Sequence, residues 1–249
     1  MIDTMPETIT AAMLVIGNEI LSGHTKDENV EYIAKALMKL GIRLFEVRLV
    51  RDEESAIIEA VTALANRYTY VFTSGGIGST HDDITTASIA KAFGIPIKQN
   101  IEVMRLLSSY YASNGVEFNV ARQKMAELPV GATLIKNPVS VAPGFIVKNV
   151  HVMPGMPDIL RAMFDGLKLV LNVGAVVHSR TVSCMIGEGV IANDLAKIQA
   201  TFPDIEIGSY PHLEEAGILS TSLVLSGTDQ VKLEEATEVV RRLVHSSGG

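Results

Sequence analysis

The apolar positions of this chain change period several times, and those changes mark its elements. Ala11–Ile16 is an unbroken apolar run closed by Gly17, the pattern of a strand buried on both faces ahead of a loop. Val30, Ile33, Ala34 and Leu37 then recur at helical spacing, and Gly41 stands where a left-handed cap is expected. Arg43–Val50 alternates and predicts a strand. Asp52 is placed to cap a helix with Glu53 and Glu54 in its first turn and Ile57, Ile58, Val61, Leu64 and Ala65 on its apolar face. Tyr70–Thr73 predicts a third strand that runs straight into Ser74-Gly-Gly-Ile-Gly78, and a helix over about 83–93 closes at Gly94. Strands alternating with helices in this way predict a parallel sheet with right-handed crossovers.

Residues from about 100 to 130 read as one or two helices ending at Pro129. Three short strands or turns follow, around Thr133–Ile135, Gly144–Val147 and His151–Met153, and then a proline-bracketed turn, Met153-Pro-Gly-Met-Pro157. A helix over about 158–170 leads into Asn172-Val-Gly-Ala-Val-Val-His-Ser-Arg180, where periodicity is lost. Beyond it the pattern predicts strand Thr181–Ile186, helix Ile191–Ala200, strands Ile205–Ser209 and Leu219–Leu225, and a last helix over about 229–244. That helix is expected to turn Val231, Ala236, Val239, Val240, Leu243 and Val244 inward. Two domains are expected, residues 1–172 and a small β-α-β-β-α domain over 178–249.

Composition narrows the function classes. Of the 249 residues 47% are hydrophobic, and 28 acidic residues against 21 basic ones leave a formal charge of −7. No basic face is available for a nucleic acid backbone, so no nucleic-acid partner is expected. The mean hydropathy of +0.28 raises the question of a membrane, but the longest apolar stretches fall far short of the ~20 residues needed to cross one. The acidic start, Met1-Ile-Asp-Thr-Met-Pro-Glu, lacks the positive region of a secretory signal. A single cysteine, Cys184, excludes a disulfide framework and a multi-cysteine zinc site, and its place on an apolar strand makes it a core residue. The expectation is a cytoplasmic protein.

The strongest chemical signal is Thr73-Ser-Gly-Gly-Ile-Gly-Ser-Thr-His-Asp-Asp-Ile-Thr85, between a strand and a helix. Ligands bind at the carboxyl ends of strands in open parallel sheets. Gly75, Gly76 and Gly78 let backbone N–H groups approach an anion, and Ser74, Ser79, Thr80 and Thr85 add hydroxyl donors. With no Gly-Lys-Ser/Thr this is not a P-loop, and with His81 in place of a third spaced glycine it is not a dinucleotide fingerprint. Replacing Gly76 by Val is accordingly expected to weaken anion binding and spare the fold. Asp82 or Asp83 could cap the next helix; beside a phosphate, two carboxylates would instead call for a divalent cation. Asn18 and Glu19, on the loop after the first strand, could hold a metal or a ribose hydroxyl, while Asp27 suits a helix cap. Pro154 and Gly155 offer a second backbone nest or simply a rigid turn. No GxSxG elbow and no paired histidines are present.

Ser-Gly-Gly-Ile-Gly-Ser-Thr-His-Asp-Asp-Ile-Thr resembles the signature of the molybdopterin-binding domain of the MoaB/Mog and gephyrin type. With Gly17-Asn-Glu-Ile-Leu-Ser-Gly-His-Thr-Lys-Asp-Glu-Asn29 it looks closer to the competence/damage-inducible protein (CinA) family and to the molybdopterin-binding-like domain of FAD synthases. The resemblance covers about residues 8–170, and the remainder weakly. It implies a three-layer α/β/α domain with the ligand over the glycine loop. It also implies roles for Asp83 and Asp52, for Gly75, Gly76 and Gly78, and for Pro154, Gly155 and Pro157. Two departures are Asn18, where an aspartate is usual, and Ser79, where a proline is common. The deamidase domain that follows in CinA proteins is not expected here. What the resemblance implies is a divalent-metal-dependent (Mg, Mn or Co) pyrophosphohydrolase of ADP-ribose or FAD type, with catalytic residues Asp83, Asp52 and Glu19 and metal ligands Asp82, Asp83 and Glu19. The alternatives are a molybdopterin-binding or adenylyl-transferring step in molybdenum cofactor assembly and a nucleotide-binding module without turnover. A homo-oligomer, dimer or trimer, is implied by the family alone.

Overall fold

Ala11–Ile16 is apolar throughout because it lies inside the sheet, with a strand on either side and helices over both faces. The computed structural model describes residues 9–213 and 219–248; the first seven residues, on which the secretory-signal reading rests, lie outside them. In chain order the elements begin β1 (Thr10–Ile16), α1 (Asn18–Leu21), α2 (Asn29–Lys39), β2 (Arg43–Val50), α3 (Glu54–Arg67), β3 (Tyr70–Ser74) and α4 (Thr85–Ala92). They continue β4 (Ile97–Gln99), α5 (Ile101–Ser113), α6 (Val120–Gln123), a 3-10 turn at Lys124–Ala126, β5 (Glu127–Pro129), β6 (Thr133–Ile135), β7 (Gly144–Val147), β8 (Val150–Met153) and α7 (Pro157–Leu167). The last are β9 (His178–Cys184), α8 (Glu188–Thr201), β10 (Glu206–Leu213), β11 (Leu219–Gly227) and α9 (Gln230–Ser246).

The chain divides into two compact units, 1–174 and 175–249. In the first, six strands lie in the order β2-β1-β3-β8-β7-β6, with β2, β1, β3 and β8 parallel and β7 antiparallel to both its neighbours. Successive residues of β1 serve opposite layers, as the two-residue period of a strand requires. Ala12, Leu14 and Ile16 pack with Ile57, Val61 and Leu64 of α3, Ile89 of α4 and Leu107 of α5. Ala11, Met13 and Val15 pack with Ile33 and Leu37 of α2 and Leu160, Met163 and Phe164 of α7. This is the three-layer, mostly parallel α/β architecture expected.

Local signals account for several boundaries. Asp27 accepts a bond from Val30 N at 2.9 Å and so opens α2, and Gly41 takes φ 68 beyond its end. Asn149, in the β7–β8 turn, donates to the carbonyls of Ala65 and Tyr68 and so satisfies the last turn of α3 from another element. The stretch 100–130 is less helical than its periodicity predicts: α5 and α6 are followed by β5, which pairs antiparallel with β4, a strand the sequence does not announce. The two are three residues each and hold no complete alternation to read.

In the second unit β10-β11-β9 form a separate antiparallel sheet, with Ile191, Leu195 and Ile198 of α8 and Leu233, Ala236 and Val240 of α9 among its core residues. Asp229 caps α9 through Val231 N and Lys232 N. Val231 is thereby held in the exposed first turn instead of the core, where Leu233 and Thr237 stand. Cys184 is a buried free thiol facing the Thr221 carbonyl, a core residue as expected. Among the described residues no helix is long and apolar enough to cross a membrane.

Candidate functional site

The sheet order puts a topological switch between β1 and β3: the chain passes from β1 outward to β2, then back across β1 to β3. Crevices at such points, beyond the carboxyl ends of the strands, are where open α/β sheets bind ligands. Four segments meet that edge, namely residues 17–28 after β1, Asp52 after β2, the glycine loop after β3 and Pro154–Met156 after β8.

Asn29 holds three of them together. Only 3% exposed, it donates from Nδ2 to Ser74 Oγ at 2.9 Å and to the Gly155 carbonyl at 2.8 Å. The carbonyl can only accept, which fixes the amide with Nδ2 toward Gly155 and leaves the Ser74 hydroxyl proton for another acceptor. Asn29 Oδ1 is buried without a partner, as are Thr73 Oγ1 and Thr85 Oγ1. In the sequence Asn29 is only the last residue of the Gly17–Asn29 segment that carries the resemblance, and composition and period give no reason to select it. The fourth segment is tied in by Asp52, whose Oδ2 accepts from Asn18 N at 2.8 Å. Asp52 is therefore a bridge between two loops and not the cap of α3, whose N-cap position is Glu53.

The glycines pack as tightly as the loop requires. Gly75 and Gly76 have φ 108 and 68, and a Cβ at either would overlap the Ile16 carbonyl oxygen or the Thr85 hydroxyl. Gly75 N donates to Met153 O and Thr85 N to Gly76 O, so the loop is stitched to β8 and to the start of α4. Gly78 faces the Asp83 carboxylate, which would lie 2.6 Å from a Cβ there. Asp83 turns back onto the loop: Oδ2 accepts from Thr80 N at 2.8 Å and from Thr80 Oγ1 at 2.5 Å. It does not cap α4, which begins at Thr85 behind Ile84.

The remaining expected residues divide by depth. Ser74 and Thr85, expected to offer hydroxyls to a ligand, are buried below the loop because Asn29 and Gly76 cover them. Ser79, Thr80, Asn18 and Glu19 lie at the opening, with the Glu19 carboxylate folded against Gly17. His81 is at the rim with its side chain 98% exposed, 3.9 Å from Asp82. The Asp82 carboxyl is held below its usual range, first by the Thr80 hydroxyl and then by its own backbone N–H. Lys124, unannounced by the sequence, reaches from the 3-10 turn to donate to the Thr80 carbonyl at 2.8 Å and joins Gly78, Asp83 and Glu127 around a small cleft beside the loop.

Asp82, Asp83 and Glu19 are not gathered into one metal cluster. Among the described residues no three His, Cys, Asp or Glu side chains stand together as a metal site. A magnesium-type ion asks for less, keeping several waters and binding through one or two carboxylates and the phosphates of its ligand. Asp83 fits that donor set: with Oδ2 committed to Thr80, Oδ1 is the atom through which it would meet a cation.

Residues 12–172 match the family described as probable molybdopterin binding domain. The chain belongs to that family. Residues 176–247 match the FAD synthase middle domain. Among curated relatives, a probable FAD synthase of Caenorhabditis elegans is 30% identical over 96% of this chain and 51% of its own length. A CinA-like protein of Syntrophus aciditrophicus is 33% identical over 84% of this chain and 52% of its own. The chain thus spans about half of each of these two relatives. A solved structure of the protein CinA from Thermoplasma acidophilum, itself of unknown function, matches with a TM-score of 0.60 and 28% identity over 64% of this chain and 97% of that one. This molybdopterin-binding-type domain therefore has relatives of both CinA and FAD synthase type, and the glycine loop, Asp52 and Asn29 all fall within residues 12–172.

Proposed function

We propose that this chain binds the pyrophosphate of a nucleotide such as ADP-ribose or FAD over the Gly75–Thr80 loop and hydrolyses it to AMP and the matching phosphate. The observation that carries the reading is the knot at the switch point, where Asn29 and Asp52 lock four segments around a glycine loop with no room for a Cβ at its first two glycines. Gly75 N and Thr80 N are already spent on Met153 O and Asp83, so the N–H groups between them, from Gly76 to Ser79, are those this fixed loop would offer a phosphate without reorganising, which is where catalytic electrostatics gains most. Asp83, through Oδ1, is the carboxylate that would meet a divalent cation, Mg, Mn or Co, at the loop, with Glu19 the alternative at the opening. When bound, such a cation offsets charge developing on the phosphates and acidifies the attacking water. Lys124 stands beside the same loop and can turn from the Thr80 carbonyl toward a ligand oxygen. The FAD synthase and CinA-like relatives support a nucleotide as ligand.

The test is AMP release from ADP-ribose, FAD and NAD with each metal. AMP from one of them in the presence of metal, lost on chelation, is the expected result. The family description over residues 12–172 favours a second reading, a molybdopterin ligand in the same pocket. Pterin fluorescence retained through purification, with no AMP released, would select it. No AMP and no pterin, but saturable nucleotide binding, would leave a binding module.

A further inference from the structure

Strand β10 ends the sheet of the second unit, with β11 as its one partner among the described residues. Its register with β11 is regular from end to end, so its residues alternate without a break. Gly208 and Tyr210 share the outer face, where a Cβ on Gly208 would lie 2.8 Å from the Tyr210 ring. Ile207 and Ser209 share the other face, and with one side of α8 they line a pocket of about 280 Å³. Leu195 and Ile207 are its apolar walls, and Ala192 and Ala196, one helical turn apart, leave it open.

The same alternation sorts the backbone of β10. Ile207 N donates to Gln199 Oε1 at 3.0 Å, so the polar groups of Ile207 face away from β11, and those of Ser209 face the same open edge. Most of this edge is closed to another strand. Gln199 occupies the Ile207 donor, while its Nε2 donates to the Phe202 and Ile205 carbonyls. Pro211, the next residue on that side, has no N–H to give. Between them Ser209 keeps its N–H and C=O side by side at the pocket, and its Oγ is buried without a partner. An added peptide strand needs several such pairs in register, whereas a small ring needs one.

We propose that this pocket of the second unit binds an uncharged nitrogen heterocycle with a lactam edge, a ring N–H beside a ring C=O, as in a pyrimidine base. The Ser209 N–H donates to the ring carbonyl, and the Ser209 carbonyl accepts from the ring N–H. The Ser209 hydroxyl donates to a further ring oxygen, and the ring face lies against Ala192, Leu195, Ala196 and Ile207. The pocket is near the lower end of ligand sites, about 300 Å³, which suits a single ring or a fused pair. No Lys or Arg lines it and Glu188 stands at it, so its electrostatics favour a neutral ring over a phosphate. The site lies wholly within the second unit and stands or falls independently of hydrolysis at the glycine loop.

Uracil titrated into the isotopically labelled full chain is expected to shift the Ser209 amide resonance saturably, together with those of Ala192 and Ala196. Uracil methylated on both ring nitrogens keeps the ring and its carbonyls but has no N–H, and is expected to leave them in place. Ala196→Phe fills the pocket from an exposed helix position and should abolish the uracil response with wild-type circular dichroism. Ser209→Ala should weaken uracil binding by about fivefold through the lost hydroxyl bond. No saturable shift at Ser209, an equal response to the methylated ring, unchanged affinity in Ser209→Ala, or binding that survives Ala196→Phe would overturn the proposal. Should Ala196→Phe misfold, the comparison of the two rings on the wild type decides alone.

Discussion

Asn29, Ser74, Gly75 and Thr85 are buried at the carboxyl edge of the sheet, whereas Thr80, His81 and Asp82, a few residues further along the same loop, stand in solvent. The buried floor is held by backbone contact and by one amide that serves three segments. The rim is held by a short turn, Asp83 upon Thr80, and by Lys124 on the Thr80 carbonyl, and it carries most of the groups with candidate chemistry. The difference teaches that the glycines and the carboxylates of one motif do different work. Gly75 and Gly76 belong to the fold, and the residues from Gly78 onward are free to belong to function.

The largest effect should come from breaking the floor. Gly76→Val places a β-branched residue at φ 68 with its Cβ on the buried Thr85 hydroxyl. Stability should fall by about 3 kcal/mol or more, read from denaturant unfolding. The sequence predicts the reverse, a folded protein with a weakened anion site, because it shows the glycine but not Thr85 behind it. At the rim, Asp83→Asn keeps an oxygen for both Thr80 donors and should change stability by under ~1 kcal/mol. If the proposed hydrolysis is right, metal-dependent turnover should nevertheless drop by roughly 10²-fold, with partial rescue by excess metal. Full activity of Asp83→Asn at low metal would remove Asp83 from the reaction.

Asn29→Ala tests whether the floor holds the segments together. It leaves the Gly155 carbonyl and Ser74 without their buried donor, and a loss of about 2 kcal/mol is expected in the unfolding free energy. Nucleotide affinity should weaken with it, and unchanged affinity in the folded variant would confine Asn29 to the scaffold. A smaller effect concerns charge beneath the floor. His151 of β8 is buried against Phe72 and Tyr70, and burial pushes its pKa below the usual 6.5. The neutral ring is the folded form, so its contribution is complete above about pH 6.5 and is lost as pH falls below that toward the lowered value. Chemical denaturation at about pH 7.5 and about pH 5.5 should show this loss, and His151→Gln should flatten it. Smallest of all, His81→Ala at the rim should leave stability within about 0.5 kcal/mol, and a thermal melt suffices to check it.

Much of the scaffold was legible in the sequence by itself. An unbroken apolar run makes β1 a buried strand, alternation makes Arg43–Val50 a strand, and helical spacing with Asp27 and Gly41 bounds α2, because burial on two faces, one face or a stripe leaves different periods in the chain. The glycine loop was legible for the same reason, since left-handed backbone selects glycine locally. Contacts between segments distant in sequence were not. Nothing near Asn29 says that Ser74 and Gly155 will meet it, nothing in Asp52 says that it will hold Asn18 N in place of capping its own helix, and β4 and β5 are too short to carry a period. Those choices belong to the tertiary structure, because each is the satisfaction of a polar group by a partner 34 to 126 residues away, and only the folded sheet brings the two together.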